Sequence, residues 1–174
     1  DLRGTKALFN DTLKGEIDRF VSVDGTGLGM TYVGVGSYRY RLTYKGPGGH
    51  SYGAFGRVNP IHALGRALAA ISDFQVGKEP KTTFNVGRIG GGTSVNSIPF
   101  EAWAEVDMRS HDKASLEAVH AKFLAAADAA AAAEAALASD ERRHDHGEQR
   151  LARRGVRGHR GDLADRTLAL VVDP

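Results

Sequence analysis

Between Tyr38 and Lys45 the chain alternates without a slip: Tyr38, Tyr40, Leu42 and Tyr44 fall on one side, and Arg39, Arg41, Thr43 and Lys45 on the other. Successive side chains of an extended strand point to opposite faces, so this segment predicts a strand with one face buried and one in water. A sheet of that kind needs a cover on one side only, and the next segment supplies it. Asn59-Pro60 gives a helix N-cap followed by proline at the first helical position. Ile61, Leu64, Leu68 and Ile71 then recur at helical spacing, predicting an amphipathic helix of roughly 13 residues.

The pattern repeats further on. Thr82–Ile89 predicts a second strand with Phe84 and Val86 inward, and Phe100–Arg109 a third with Phe100, Ala102, Ala104, Val106 and Met108 on one side. Gly90-Gly91-Gly92 between them reads as a flexible hairpin turn. Asp112 can cap a long helix whose Leu116, Val119, Phe123 and Ala127 form an apolar stripe, thinning into an alanine-rich run through Leu137. The order β-α-β-β-α places the chain in the α+β class. It predicts a two-layer sandwich, an antiparallel sheet with two helices on one face, of the ferredoxin-like split β-α-β type. One more strand would complete it, and the sequence leaves that strand unassigned.

The flanks read differently. A helical stretch is expected around Lys6–Leu13, a short strand at Phe20-Val21-Ser22-Val23-Asp24-Gly25, and a turn-rich connection where glycines recur at 27, 29, 34 and 36. The opening on Asp1 without Met suggests a fragment or a processed start. Residues 140–174 carry their basic charge on arginine alone, with His144, His146 and His159 scattered among them and no period until Leu168–Val172. A charged, weakly ordered tail is expected there. A shifted reading frame in GC-rich DNA would give the same texture, and the nucleotide sequence would reveal it.

A chain of 174 residues that is 41% apolar can bury a core of its own. No run approaches the ~18 apolar residues of a membrane span, and the first residues lack the pattern of a signal peptide. The absence of cysteine removes disulfides and thiolate metal sites and fits a reducing compartment, with the cytoplasm as the default. A net charge of +2 implies neither a nucleic-acid partner nor a membrane surface.

Three polar groups stand at predicted strand ends. His50 follows Gly48-Gly49, where missing side chains permit close backbone approach, so its ring could donate to a substrate or bond a nearby carbonyl of its own turn. Asn96 could offer its amide to a ligand carboxylate or satisfy the turn's backbone. Arg109 lies opposite the apolar stripe with Asp107 on the same face. The two can form a structural ion pair, or Arg109 can take a substrate carboxylate bidentately.

Taken together, Gly46-Pro47-Gly48-Gly49-His50-Ser51, Gly90–Pro99 and Val106–Ser110 resemble the lid, or dimerisation, domain of the zinc-dependent exopeptidases and deacylases. That family includes tripeptide aminopeptidase, carboxypeptidase G, acetylornithine deacetylase and succinyl-diaminopimelate desuccinylase. The resemblance runs from about Asp1 to Ala130 and is closest to the tripeptide aminopeptidase-like branch. It implies that His50 polarises the scissile carbonyl, commonly in the neighbouring subunit, that Asn96 and Arg109 contact substrate, and that Asp24 ligates one of two zinc ions. It divides the chain into a catalytic-domain junction (1–36), a lid and dimerisation domain (37–139) and an Arg-rich tail (140–174). The implied partners are a second copy, as a homodimer, and a small peptide or acyl-amino acid substrate.

The family's His-x-Asp, its Glu-Glu pair with the general base, and its late His have no match here. One carboxylate cannot hold a catalytic zinc, which takes about three protein ligands and a water. His144, His146 and Glu148 could mimic a cluster, but closely spaced histidines in a charged tail are ordinarily solvated. The expectation is therefore a module inactive alone, or part of an aminopeptidase whose catalytic domain comes from adjoining or separate sequence.

Overall fold

The computed structural model describes residues 3–23, 26–27, 29–152 and 168–173, with the stretch 139–152 described by its backbone alone. Two compact units divide the chain, Asp1–Tyr32 and Val33–Pro174. In the first, helix α1 (Arg3–Ala7) runs into a π-helical turn over Leu8–Thr12, and Phe9 meets Phe20 edge-on at 5.3 Å. The strand expected from Phe20 is not formed. Phe20–Val23 pairs with nothing among the described residues, and Val21 and Val23 are exposed. A preference for extended backbone becomes a strand only when a neighbour satisfies its amides and packs its side chains.

The second unit holds, in chain order, β1 (Gly36–Lys45), β2 (Gly49–His50), α2 (Pro60–Ser72), β3 (Thr82–Gly91), β4 (Ser97–Ile98), β5 (Glu101–Ser110), α3 (Lys113–Ala152) and β6 (Ala169–Asp173). The four long strands form one sheet in the order β3-β5-β1-β6, antiparallel at every junction. This is the predicted α+β sandwich. β6 supplies the missing strand, with Val172 opposite Leu42 and Leu170 opposite Tyr44. Of the stretch 140–174, residues 140–152 continue α3 and Ala169–Asp173 form β6, while 153–167 lie outside the described residues.

The core lies between the sheet and both helices. Leu42 and Tyr44 from β1 and Ala102, Ala104, Val106 and Met108 from β5 meet Leu64 and Ile71 of α2 and Val119 and Phe123 of α3. Large residues face small ones across the strands, Leu42 opposite Ala104 and Tyr44 opposite Ala102, so the layers interdigitate. The Tyr44 hydroxyl is buried and donates to the Ala127 carbonyl at 2.8 Å. Burial, with the nearby Asp128 charge adding to it, pushes this phenol far above its ordinary pKa.

Both predicted caps are present. Asn59 Oδ1 accepts the amides of Ile61 and His62, and Asp112 Oδ2 that of Ser115. Buried Glu134 of α3 accepts from Asn59 N at 2.9 Å and Arg66 Nη1 at 2.8 Å, tying α3 to the start of α2.

Two expectations along β3 and β5 need correction. Gly90 and Gly91 belong to β3 and not to a turn. A Cβ on Gly90 would lie 2.6 Å from the Trp103 ring, and one on Gly91, whose φ is +135°, 2.6 Å from the Glu101 carbonyl. These glycines let the hairpin strands close up. Phe100 precedes β5 and is 64% exposed, so it stands outside the apolar stripe. A bulge at Gly87 shifts the β3–β5 register.

Candidate functional site

The loop after β1 is shaped by Gly48 and Gly49, with φ of +67° and +146°. Arg57 donates to the Gly48 carbonyl at 3.0 Å and holds the turn. β2 then pairs with β4, setting His50 directly opposite Ser97, while Ser51 N donates to the Asn96 carbonyl at 2.9 Å. His50 and Asn96, predicted separately, thus share one short ladder.

Their polar atoms are already oriented. His50 Nδ1 accepts the amides of Tyr52 at 3.3 Å and Gly53 at 3.4 Å. A ring nitrogen that accepts carries no proton, so the neutral imidazole keeps its proton on Nε2 as a donor. Asn96 Oδ1 accepts from Ser94 Oγ at 2.8 Å, and Ser94 Oγ also meets Ser97 Oγ at 2.8 Å. With its oxygen engaged, the Asn96 amide has its NH₂ donors to offer. Both side chains are exposed. Together they form a pair of donors suited to a carbonyl oxygen or a carboxylate.

Arg109 is not in this cluster. The β2–β4 ladder adjoins the Glu101 end of β5, whereas Arg109 sits at the far end; eight residues of extended strand separate them, about 27 Å. Arg109 projects from the sheet face that none of the described helices covers. Its Nε donates to Asp107 Oδ2 at 2.7 Å, and Arg39 Nε donates to Asp107 Oδ1 at 3.0 Å. Partial burial alone would raise the Asp107 carboxyl, but the hydrogen bonds and charges of Arg109 and Arg39 outweigh it and hold the pKa below the ordinary value.

A group whose pKa is depressed on folding stabilises the fold above its unfolded pKa, and that contribution disappears as pH falls through the folded value. Stability should therefore drop as pH falls below the ordinary aspartate value, roughly 4, and Asp107→Asn should show a shallower drop in urea melts. Identical pH slopes would contradict this role for the Arg39–Asp107–Arg109 cluster.

Arg39 escaped the sequence reading. Alternation puts it on the polar face, but that it lies opposite Asp107 depends on the register of β1 against β5. Asp24 lies outside the described residues, and the side chains of His144, His146 and Glu148 fall in the stretch described by backbone alone. Among the described residues no group of three or more His, Cys, Asp or Glu could hold a metal ion. These residues do not fit a dinuclear zinc centre. Nor is any described helix long and apolar enough to cross a membrane.

A family model described as the peptidase dimerisation domain matches residues 35–135. Similar solved structures include an aminobenzoyl-glutamate utilization protein from Klebsiella pneumoniae, 20% identical with a TM-score of 0.55, over 62% of this chain and 30% of that one. A hydantoinase/carbamoylase family amidase from Burkholderia ambifaria is 18% identical with a TM-score of 0.54, over 81% of this chain and 27% of its own. The aminopeptidase PepT from Bacillus cereus is 24% identical with a TM-score of 0.48, over 59% and 28% respectively. No curated protein matches. The likeness to the first two structures is one of fold, and the chain spans less than a third of the length of all three.

Proposed function

Because the chain belongs to the peptidase dimerisation domain family, we propose that it is the lid and pairing module of a metal-dependent hydrolase cleaving amide bonds of small peptides or N-acyl amino acids. His50 polarises the scissile carbonyl, while Asn96 and Arg109 take the substrate's carboxylate end. Two zinc ions would supply the activated water, held by the rest of the enzyme with Asp24 as one ligand. The cysteine-free composition favours a reducing, cytoplasmic setting.

The observation that carries this reading is the separation of the His50–Asn96 ladder from Arg109 along β5. Groups about 27 Å apart cannot hold one small substrate, but two copies can close the gap. β3 is an edge strand, without a partner on its outer side among the described residues. A homodimer pairing β3 with its copy in antiparallel fashion lays the Gly91 end of one strand beside the Thr82 end of the other. His50 and Asn96 of one copy then approach Arg109 of the second. Ile61 of α2 and Ile89 of β3, both exposed, would be covered by the same contact.

Ile89→Lys should convert a concentration-dependent dimer to monomer in sedimentation velocity; a wild-type chain that stays monomeric at hundreds of micromolar would defeat the proposal. In an enzyme carrying the catalytic domain, inactive His50→Ala and Arg109→Ala dimers mixed and allowed to exchange should regain roughly a quarter of wild-type turnover. That is the share of intact sites in a random mixture, since half the dimers are mixed and each has one complete site. Mixtures that stay inactive would place all three groups in one subunit's site.

A further inference from the structure

We propose that the end of the uncovered sheet face bearing Arg109 is a two-carboxylate subsite: Arg109 and Arg39, splayed from the shared Asp107, each bind one carboxylate of a dicarboxylic ligand such as an N-acylated acidic amino acid. This rests on the reading of Arg109 as the carboxylate-binding group and adds Arg39 and the substrate class.

The way each guanidinium is tethered points to this role. A guanidinium has five donors, and one edge is enough to hold a carboxylate in a fork. Arg39 and Arg109 both reach Asp107 through Nε, on separate oxygens, so the paired terminal nitrogens of each remain as forks for other anions. The neighbouring arginine row is spent differently. Arg88 grips Glu105 through its terminal Nη1, and Arg41, also beside Glu105, stacks 3.9 Å from the Trp103 ring with Asp173 opposite in register. Among the described residues the Asp107 row contains no second acid. Asn85 lies opposite Asp107, and Thr83 and Ser37 flank Arg109, adding neutral donors.

Spacing and room agree with two anionic groups. Arg39 lies across from Asp107, and Arg109 lies two residues further along β5, an offset of about 7 Å at the backbone; both guanidiniums lean onto the two oxygens of Asp107, which brings them within reach of the two ends of a short dicarboxylate. Beside Arg39 lies a hollow of about 390 Å³ walled by Arg39, Arg41 and Arg88 and by the acids Glu105, Asp107 and Asp173; Arg88 and Arg41 are engaged with Glu105, and the hollow is large enough for a ligand's second arm next to Arg39.

The test is a titration of the chain with N-acetylglutamate and with N-acetylglutamine, which matches it in shape but lacks the second charge, followed on the arginine Nε–H signals by NMR. The expected result is about tenfold tighter binding of N-acetylglutamate. Arg39→Gln should abolish that preference and leave N-acetylglutamine affinity unchanged, with Arg39→Lys keeping part of it. Equal affinities in the wild type, equal weakening of both ligands by Arg39→Gln, or no binding of either ligand would overturn the subsite. Arg109→Gln should weaken both ligands. If it changes neither while Arg39→Gln still acts, Arg109 is not the carboxylate group and the underlying reading fails instead.

Discussion

Replacing Phe123 by alanine is expected to lower the unfolding free energy by about 3–5 kcal/mol, read from urea denaturation of the wild type and the variant. Phe123 is fully buried on α3, with its ring stacked on Tyr40 at 5.6 Å. The residues facing it cannot close the gap. Its ring neighbours Tyr40 and His120 are rigid, and the core around it also holds Ala102, Ala104 and Ala127, so the lost ring leaves a cavity that rotamer changes cannot readily fill. Domains of this size are held together by about 5–15 kcal/mol, so the loss is a third or more of the total through most of that range. A loss below about 1 kcal/mol would mean that Phe123 does not hold α3 against the sheet.

The second large effect concerns chemistry. In an enzyme carrying this domain, His50→Ala is expected to lower turnover about 100- to 1000-fold, the typical cost of removing one preorganised donor to a developing oxyanion, with a smaller effect on KM. The preorganisation is visible in the loop: two backbone amides hold Nδ1, and the proton is thereby kept on Nε2. His50→Gln, which keeps an N–H donor on a floppier stem, should retain more activity than His50→Ala. Turnover unchanged in His50→Ala would remove His50 from the reaction.

The long elements were legible because each carries its own period. The unbroken alternation from Tyr38 to Lys45 is β1, and Asn59-Pro60 marks the start of α2 because the cap residue and the proline each satisfy a requirement of a helix's first turn. The helix from Asp112 was readable for the same reason. What escaped was decided by contacts distant in sequence. Phe20–Val23 has the composition of a strand and no partner strand among the described residues. Gly90-Gly91 looked like a turn because nothing local reveals that Trp103 lies across Gly90. The β2–β4 ladder is two residues long on each side, too short for any period, and it alone brings His50 beside Asn96. Arg109 was identifiable as a type of residue in a type of place. Its distance from His50 depends on strand direction, and its link to Arg39 on register.

The position of β6 bears on how the fold is reached. β1 sits inside the sheet only because residues 169–173 return to pair with residues 41–45, and α2, β3, β5 and α3 are all synthesised in between. During translation a three-stranded intermediate would carry β1 as a bare flank, its amides open to any passing extended segment, until the closing strand leaves the ribosome. Such a long-range closure makes folding slow, and a truncation before Ala169 would leave a product prone to stick to its own kind.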